Sequence, residues 1–269
     1  MAHARTPRRG PVGLEKLRQR IRDIEGTGAR LDDGKRGPAI TPFDLAEIDR
    51  HLPWGGLPLG ALHEIIADDA GAATGFSAAL IGKIATPSHG VEAHRNGNTR
   101  PVLWCESRHV MDAGGLYTPG LAHFGLAPDR VILVRVRRDQ DVLWAMEEGL
   151  ACAGLAAVVG ETRALSLTAG RRLQLAAATG PVTAFLLRPH SEAAMASAAM
   201  TRWRVNAAPP DDGDEPGLGR PCWSVELFRC RGGIPGTWKL EWNDETGDFA
   251  LVAPVRDGPA VPQPSRLAG

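Results

Sequence analysis

The sequence predicts an α/β domain in which helices cover both faces of a mostly parallel sheet. Short apolar runs such as Val182–Leu187 alternate along the chain with longer segments of helical periodicity such as Asp139–Ala153. Strands that are apolar on both faces are typical of a parallel sheet that is covered on both sides. From Trp223 onward, apolar and polar residues alternate, which predicts additional antiparallel strands at the end of the domain.

The elements follow one another in a regular order. The predicted strands are Leu62–Ile66, Pro101–Cys105, Arg130–Val136, Leu155–Val159 and Val182–Leu187. The predicted helices are Gly75–Ile84, Asp112–Phe124, Asp139–Ala153, Thr168–Ala178 and Glu192–Met200. The strands are rich in Val, Ile and Leu, whereas the helices place apolar residues three and four apart. Four tryptophans near the end favour core positions over exposed anchors: Trp203, Trp223, Trp238 and Trp242.

Both ends of the chain differ in composition from the body. Residues 1–37, hereafter the arm, hold ten Lys and Arg against five acidic residues. Within the arm, Leu14, Leu17, Ile21 and Ile24 form an apolar stripe of helical spacing. We expect residues 38–256 to form the core and residues 257–269, which are rich in Pro, to form a disordered tail.

Composition excludes several classes of protein. The formal net charge is zero, so the whole molecule is not an electrostatic nucleic-acid binder. The four cysteines form no C-x-x-C pair and have no His at metal-ligand spacing, which predicts reduced thiols and no metal site. No apolar run approaches the ~18 residues of a membrane span, and the first residues lack the apolar core of a secretory signal. We expect a cytoplasmic protein.

The junction after Leu62–Ile66 is where a phosphate-binding loop would cradle a nucleotide. Such a loop needs a Lys followed by Ser or Thr, and residues 67–77 contain no Lys. Asp68 and Asp69 stand where backbone amides should face anions, which is repulsive toward a triphosphate. One interpretation of Asp68 and Asp69 is a retained Mg²⁺ contact. The favoured alternative is a solvated turn that caps the next helix. We therefore predict a degenerate nucleotide loop made of Asp68, Asp69, Gly71, Thr74, Gly75 and Ser77.

Three segments, in this order, resemble a known family. Residues 48–65, which include Gly55-Gly56-Leu57-Pro58, resemble the start of the RecA ATPase core. Residues 104–112 resemble the segment that carries the catalytic glutamate of RecA, which would fall on Glu106. Residues 223–242 resemble the ImuA family of RecA-like, SulA-related accessory proteins. The resemblance extends over roughly residues 14 to 256.

This resemblance implies a RecA-like, P-loop-type core and a role in SOS-induced, error-prone translesion DNA synthesis. The implied partners are an ImuB-like inactive Y-family protein, RecA, and an error-prone C-family polymerase reached through ImuB. The implied location is the cytoplasm, with nucleoid association when DNA is damaged. The departures from RecA argue against catalysis, because Gly160-Glu161 replaces the Mg²⁺-organising Asp and Arg188-Pro189 replaces a polar sensor. Glu106 would then be a relic base in a protein without cofactors, or a strand-end carboxylate paired with Arg108 or another base.

Two sets of residues are candidate contacts with a partner or with DNA. The arm resembles the subunit-contact helix of RecA, and its candidates are Leu14, Leu17, Arg18, Ile21 and Arg22. Arg171, Arg172 and Arg188 lie near strand ends, where weak or indirect DNA contact competes with ordinary helix-face charge. Two other functions stay open. One is a weak nucleotide-binding, RecA-like ATPase that acts on DNA, and the other is a SulA-like inhibitor of cell division.

Overall fold

A computed structural model describes residues 38–85, 100–189, 196–210 and 219–252. The arm, with its predicted helical stripe, and the tail from residue 257 lie outside the described residues. The predicted domain boundaries at residues 37 and 256 therefore stay predictions. In the part of the chain that the structure describes, no helix is long and apolar enough to cross a membrane.

The described residues contain every predicted strand in the predicted order, together with three unpredicted ones: two short strands at the start and one before the antiparallel meander. The strands are β1 (Ile40–Thr41), β2 (Leu57–Pro58), β3 (Leu62–Ala67), β4 (Val102–Ser107), β5 (Val131–Val136), β6 (Ala157–Glu161), β7 (Thr183–Pro189), β8 (Thr201–Ala207), β9 (Cys222–Cys230), β10 (Gly236–Asn243) and β11 (Asp248–Leu251). The α-helices are α1 (Ala46–Asp49), α2 (Ala70–Ala85), α3 (Arg108–Asp112), α4 (Asp139–Leu150) and α5 (Leu167–Thr179). Two 3₁₀ helices cover Thr118–Phe124 and Pro128–Arg130.

All strands but β1 and β2 join one 9-stranded sheet in the order β11-β10-β9-β8-β3-β7-β6-β4-β5. The strands from β8 to β5 in that order run parallel to one another. Strand β9 pairs antiparallel with β8, and β10 and β11 continue the antiparallel half. The predicted fold class, an α/β protein with a mostly parallel sheet and C-terminal antiparallel strands, is confirmed.

Two apolar cores lie on opposite faces of this sheet. On one face, Phe76 of helix α2 packs against Trp203 and Trp223, and Trp242 is buried in the same core. Helices α4 and α5 cover the other face through residues such as Met146 and Leu173. The predicted core role is therefore confirmed for these three tryptophans. Trp238 is only partly buried and stands edge-on to the ring of His51.

Two predicted helices differ from the structure. The predicted helix Asp112–Phe124 is instead α3, a turn and a 3₁₀ helix, because Gly114 and Gly115 take positive φ values that an α-helix does not contain. Of the predicted helix Glu192–Met200, residues 192–195 lie outside the described residues, and residues 196–200 are not helical. The chain then enters β8, a parallel neighbour of β3 that the apolar pattern did not predict.

Candidate functional site at the carboxyl edge of the sheet

The carboxyl ends of the parallel strands meet at one edge of the sheet, where a cleft of about 1170 Å³ opens. In doubly wound sheets, ligands bind at this edge, next to the point where the strand order reverses. Strand β5 follows β4 in the chain and lies on one side of β4 in the sheet, whereas β6, the next strand, lies on the other side. The strand order therefore reverses between β4 and β6. Residues around the cleft include Asp69, Leu116, Tyr117, Glu161, Trp223 and Trp242.

The junction between β3 and α2 is a two-residue turn. Helix α2 begins at Ala70, five residues before its predicted start, so only Asp68 and Asp69 separate strand from helix. Oδ1 of Asp69 accepts a 2.9 Å hydrogen bond from the backbone N of Gly71. The Asp69 carboxylate therefore accepts the hydrogen bond of a backbone amide that a phosphate-binding loop would offer to an anion.

The other residues of the predicted nucleotide loop belong to the helix rather than to a loop. Gly71, Thr74, Gly75 and Ser77 all lie within α2. A Cβ added at Gly75 would lie 3.1 Å from the Trp223 ring, so this glycine serves close packing of the helix on β9. The predicted helix start at Gly75 was wrong because the preceding run of small residues is rich in Ala, the strongest helix former.

Glu106 ends β4 as a fully buried acceptor. Its Oε1 accepts a short hydrogen bond from the backbone N of Leu116, and its Oε2 lies 3.2 Å from Nε of Arg135. Arg108, which the sequence suggested as a partner, faces Asp112 at 3.8 Å instead. The Glu106 carboxylate therefore anchors the loop that precedes the first 3₁₀ helix, and both of its oxygens are engaged.

Glu161, at the end of β6, is a second buried carboxyl that the sequence did not single out as a titratable group. Burial raises its pKa to about 7; a hydrogen bond from Trp104 opposes this rise, and the negative charge of Glu106 adds to it. Nε1 of Trp104 donates that bond to Oε1 at 2.6 Å. The only signal in the sequence was a glutamate that directly follows an apolar run, at Gly160-Glu161.

Arg188 does not occupy the exposed position that a DNA or partner contact requires. Its side chain is 3% exposed, and its Nη1 lies 2.9 Å from Oε1 of Glu64. Nε of Arg202 lies 2.6 Å from the other oxygen of the same carboxylate. The three side chains form a buried ion cluster between β7, β3 and β8, which corrects the prediction of an accessible Arg188. The cluster lies on the sheet face that α4 and α5 cover.

Arg171 and Arg172 are exposed on α5, and Arg172 forms an ion pair with Glu147 of α4. Their proposed contact with DNA stays a prediction. The candidate contacts of the arm, Leu14, Leu17, Arg18, Ile21 and Arg22, lie outside the described residues.

The chemistry of the cleft follows from these groups. Its described lining offers carboxylates, apolar rings and two exposed arginines, Arg163 and Arg220, but no Lys. Among the described residues, no group of three or more His, Cys, Asp or Glu side chains could hold a metal ion. A triphosphate placed at the start of α2 would lie beside the negative charges of Asp68 and Asp69, which repel it.

The fold and this cleft define a doubly wound α/β protein whose described residues contain no phosphate-binding loop. Proteins named Protein ImuA, from Caulobacter vibrioides strains NA1000 and ATCC 19089, are each 37% identical to the chain over 250 residues, which cover 84% of this chain and 95% of each relative. The chain therefore belongs to the ImuA family. No protein-family model matches it.

Proposed function

We propose that this protein is a non-catalytic accessory factor of SOS-induced, error-prone translesion DNA synthesis. Its membership of the ImuA family supports this role. So does the resemblance of residues 48–65 and 104–112 to RecA. The strand order of the parallel half supports a RecA-like core, since it is doubly wound and places the first long strand, β3, inside the sheet. The protein would act through its surfaces, with an ImuB-like protein and RecA as direct partners.

The observation that carries the proposal is the β3–α2 junction. A two-residue turn that is closed by a hydrogen bond from Gly71 to Asp69 leaves no loop to surround phosphates. The candidate relic base, Glu106, is buried and accepts hydrogen bonds from Leu116 and Arg135, which favours a structural role over the activation of a water molecule. Both features argue against an ATP-driven cycle.

Calorimetry with ATP and Mg²⁺ on the purified full chain tests this proposal. We expect no heat of binding at millimolar nucleotide, because the anion would meet two carboxylates and no Lys. Binding with a Kd in the micromolar range would overturn the proposal and favour the ATPase alternative. A Glu106→Gln variant would then decide whether hydrolysis uses that residue.

The direct partners need a second experiment. Labelled RecA is titrated with the full chain and with a Leu17→Asp, Ile21→Asp variant, in which the apolar stripe of the arm is charged. We expect binding to weaken by at least about tenfold if the stripe is an interface anchor. The matched control is Ile234→Asp, which charges an apolar side chain that is 62% exposed elsewhere. Equal binding by the stripe variant and the parent would remove the arm from the RecA contact.

A further inference from the structure

The outer face of the α4–α5 layer carries two large apolar side chains that face solvent in the described part of the chain. Trp144 is 63% exposed and Leu175 is 67% exposed. The ion pair between Glu147 and Arg172 joins the two helices. Residues three apart share a helix face, so this pair places Trp144 of α4 and Leu175 of α5 on one continuous surface. We name it the Trp144–Leu175 face.

The described part of the chain begins near the C-terminal end of α5, beside this face. The backbone N of Leu59 donates a 2.7 Å hydrogen bond to the carbonyl oxygen of Ala39. The next residue, Gly60, is so close to the end of α5 that an added Cβ would lie 2.9 Å from the carbonyl oxygen of Gly180. The arm therefore connects to the body beside the helix that carries Leu175.

The charges of the two segments are complementary. Three of the four acidic residues of α4, Asp139, Asp141 and Glu147, already have partners in the described body, whereas Glu148 is exposed one turn after Trp144. Residues 14–24 of the arm contain four basic and two acidic residues around the apolar stripe. Opposite charges around an apolar centre are the pattern of a specific contact rather than of a solvated tail.

The chain length between the two segments permits the contact. Residues 25–38 span up to about 46 Å when extended, at ~3.3 Å per residue. Helix α5 is about 20 Å long at ~1.5 Å per residue, so any point of the face lies within reach.

We propose that residues 14–24 lie across the Trp144–Leu175 face of the same molecule. Leu14, Leu17 and Ile21 cover the two exposed apolar side chains, and the basic residues between them face Glu148. This resting position does not depend on the proposed function. A partner that binds the arm competes with this face for the same apolar stripe.

Engineered cross-linking in the full chain tests the proposal. Leu17 and Leu175 are replaced with Cys in a Cys152→Ser background, because Cys152 is the exposed native thiol among the described residues. Under mild oxidation we expect a disulfide within one molecule, since contact raises the effective concentration of the two thiols. The matched control pairs Leu17→Cys with Thr237→Cys, an exposed position about 15 Å along the sheet from β3, at ~4.8 Å per strand.

The Leu175 pair should form its disulfide at least about tenfold faster than the Thr237 pair. Equal rates would overturn the proposal, and so would disulfides formed mainly between two molecules, which would place the arm on a second copy. A Glu148→Arg change in the Leu175 pair should slow the reaction, whereas Glu245→Arg, an exposed control in the β10–β11 turn, should not. An unchanged rate with Glu148→Arg would contradict the charge contribution.

A second measurement uses the fluorescence of Trp144, isolated as the difference between the full chain and its Trp144→Phe variant. Cover by the arm predicts weak quenching by acrylamide, and an Ile21→Asp change should increase that quenching. If Trp144 is quenched as readily before the change as after it, the arm does not lie on this face.

Discussion

Glu106 and Glu161 are register partners on the neighbouring parallel strands β4 and β6, and both side chains are buried. Two like charges at adjacent positions of a sheet repel each other, and here little water separates them. The two carboxyl groups have different partners. Glu106 is paired with Arg135, whereas Glu161 accepts a hydrogen bond from the neutral indole of Trp104. Burial raises the pKa of Glu161 to about 7, and the charge of Glu106 makes a smaller contribution in the same direction.

The raised pKa of Glu161 predicts that stability falls as pH rises from about 4.5 to about 7. Below this range both states bind the proton, within it only the folded state does, and above it the loss is complete. The change in unfolding free energy is on the order of 3 kcal/mol, because one pKa unit corresponds to ~1.4 kcal/mol. Urea denaturation at several pH values measures it.

The variant Glu161→Gln should flatten this part of the pH profile, since the amide oxygen still accepts from Trp104 but does not titrate. Glu148→Gln, on the exposed side of α4, is the matched control and should leave the slope unchanged. A Glu161→Gln profile that follows the parent would show that another group is responsible.

The buried cluster of Glu64, Arg188 and Arg202 predicts a large loss of stability on removal of its centre. Glu64→Gln leaves two guanidinium groups without a counter-charge and should cost about 3–5 kcal/mol in unfolding free energy. Denaturation at neutral pH measures the loss. Replacing all three residues with apolar ones should cost less than this single change, because no charge then stays buried and unpaired.

Arg188→Met and Arg171→Met form a matched pair for the same cluster. The first removes an arginine that is 3% exposed, and the second removes an exposed one on α5. We expect a loss of several kcal/mol for the first and about 0.5 kcal/mol or less for the second. Equal small losses would argue that Arg188 is not part of a stabilising cluster.

The turn before α2 predicts that Asp69 acts as a helix cap. Asp69→Ala removes the acceptor of the Gly71 amide and should destabilise the protein by about 1 kcal/mol. Asp69→Asn retains an equally good acceptor and should be nearly neutral, which separates capping from charge. Thermal denaturation of the two variants side by side decides the point. A similar loss for both variants would assign the effect to the carboxylate charge.

The crossing of α2 over the first 3₁₀ helix predicts that Gly82 tolerates no side chain. An added Cβ would lie 2.0 Å from the carbonyl oxygen of Phe124, a backbone atom that moves only with its whole segment. Gly82→Ala should therefore cost at least about 2 kcal/mol, although alanine favours helix by ~1 kcal/mol. Gly71→Ala, with 3.4 Å to the nearest atom of Asp69, should be neutral or stabilising, and denaturation with urea compares the two. A neutral Gly82→Ala would mean that the contact with Phe124 yields easily.

The sequence predicted the parallel strands well because each is a local apolar run whose neighbours cover both of its faces. Strand β8 escaped prediction for the opposite reason. Arg202 and Arg204 interrupt its apolar pattern, and the buried charge of Arg202 is paired with Glu64, which lies far away in the sequence. A pattern within one segment cannot reveal a partner that the fold supplies from another segment.

The site was predictable in what it lacks and not in how its residues are held. The absence of a Lys in residues 67–77 was visible in the sequence, but the early start of α2 was hidden by two glycines, of which Gly75 serves packing against Trp223. The partner of Glu106 was equally hidden, because Arg135 reaches it from the neighbouring strand β5 whereas the nearer Arg108 turns to Asp112. Register between strands decides such pairs.

The central position of β3 has a consequence for synthesis of the chain. Leu62 pairs with Ala184 and His63 with Thr201, so both edges of this early strand pair with segments that leave the ribosome much later. Until β7 and β8 emerge, the wholly apolar end of β3 has no sheet to join and is exposed to other nascent chains and to chaperones. Slow non-local closure of this kind makes the last third of the chain, rather than the first, the segment whose arrival completes the parallel half of the fold.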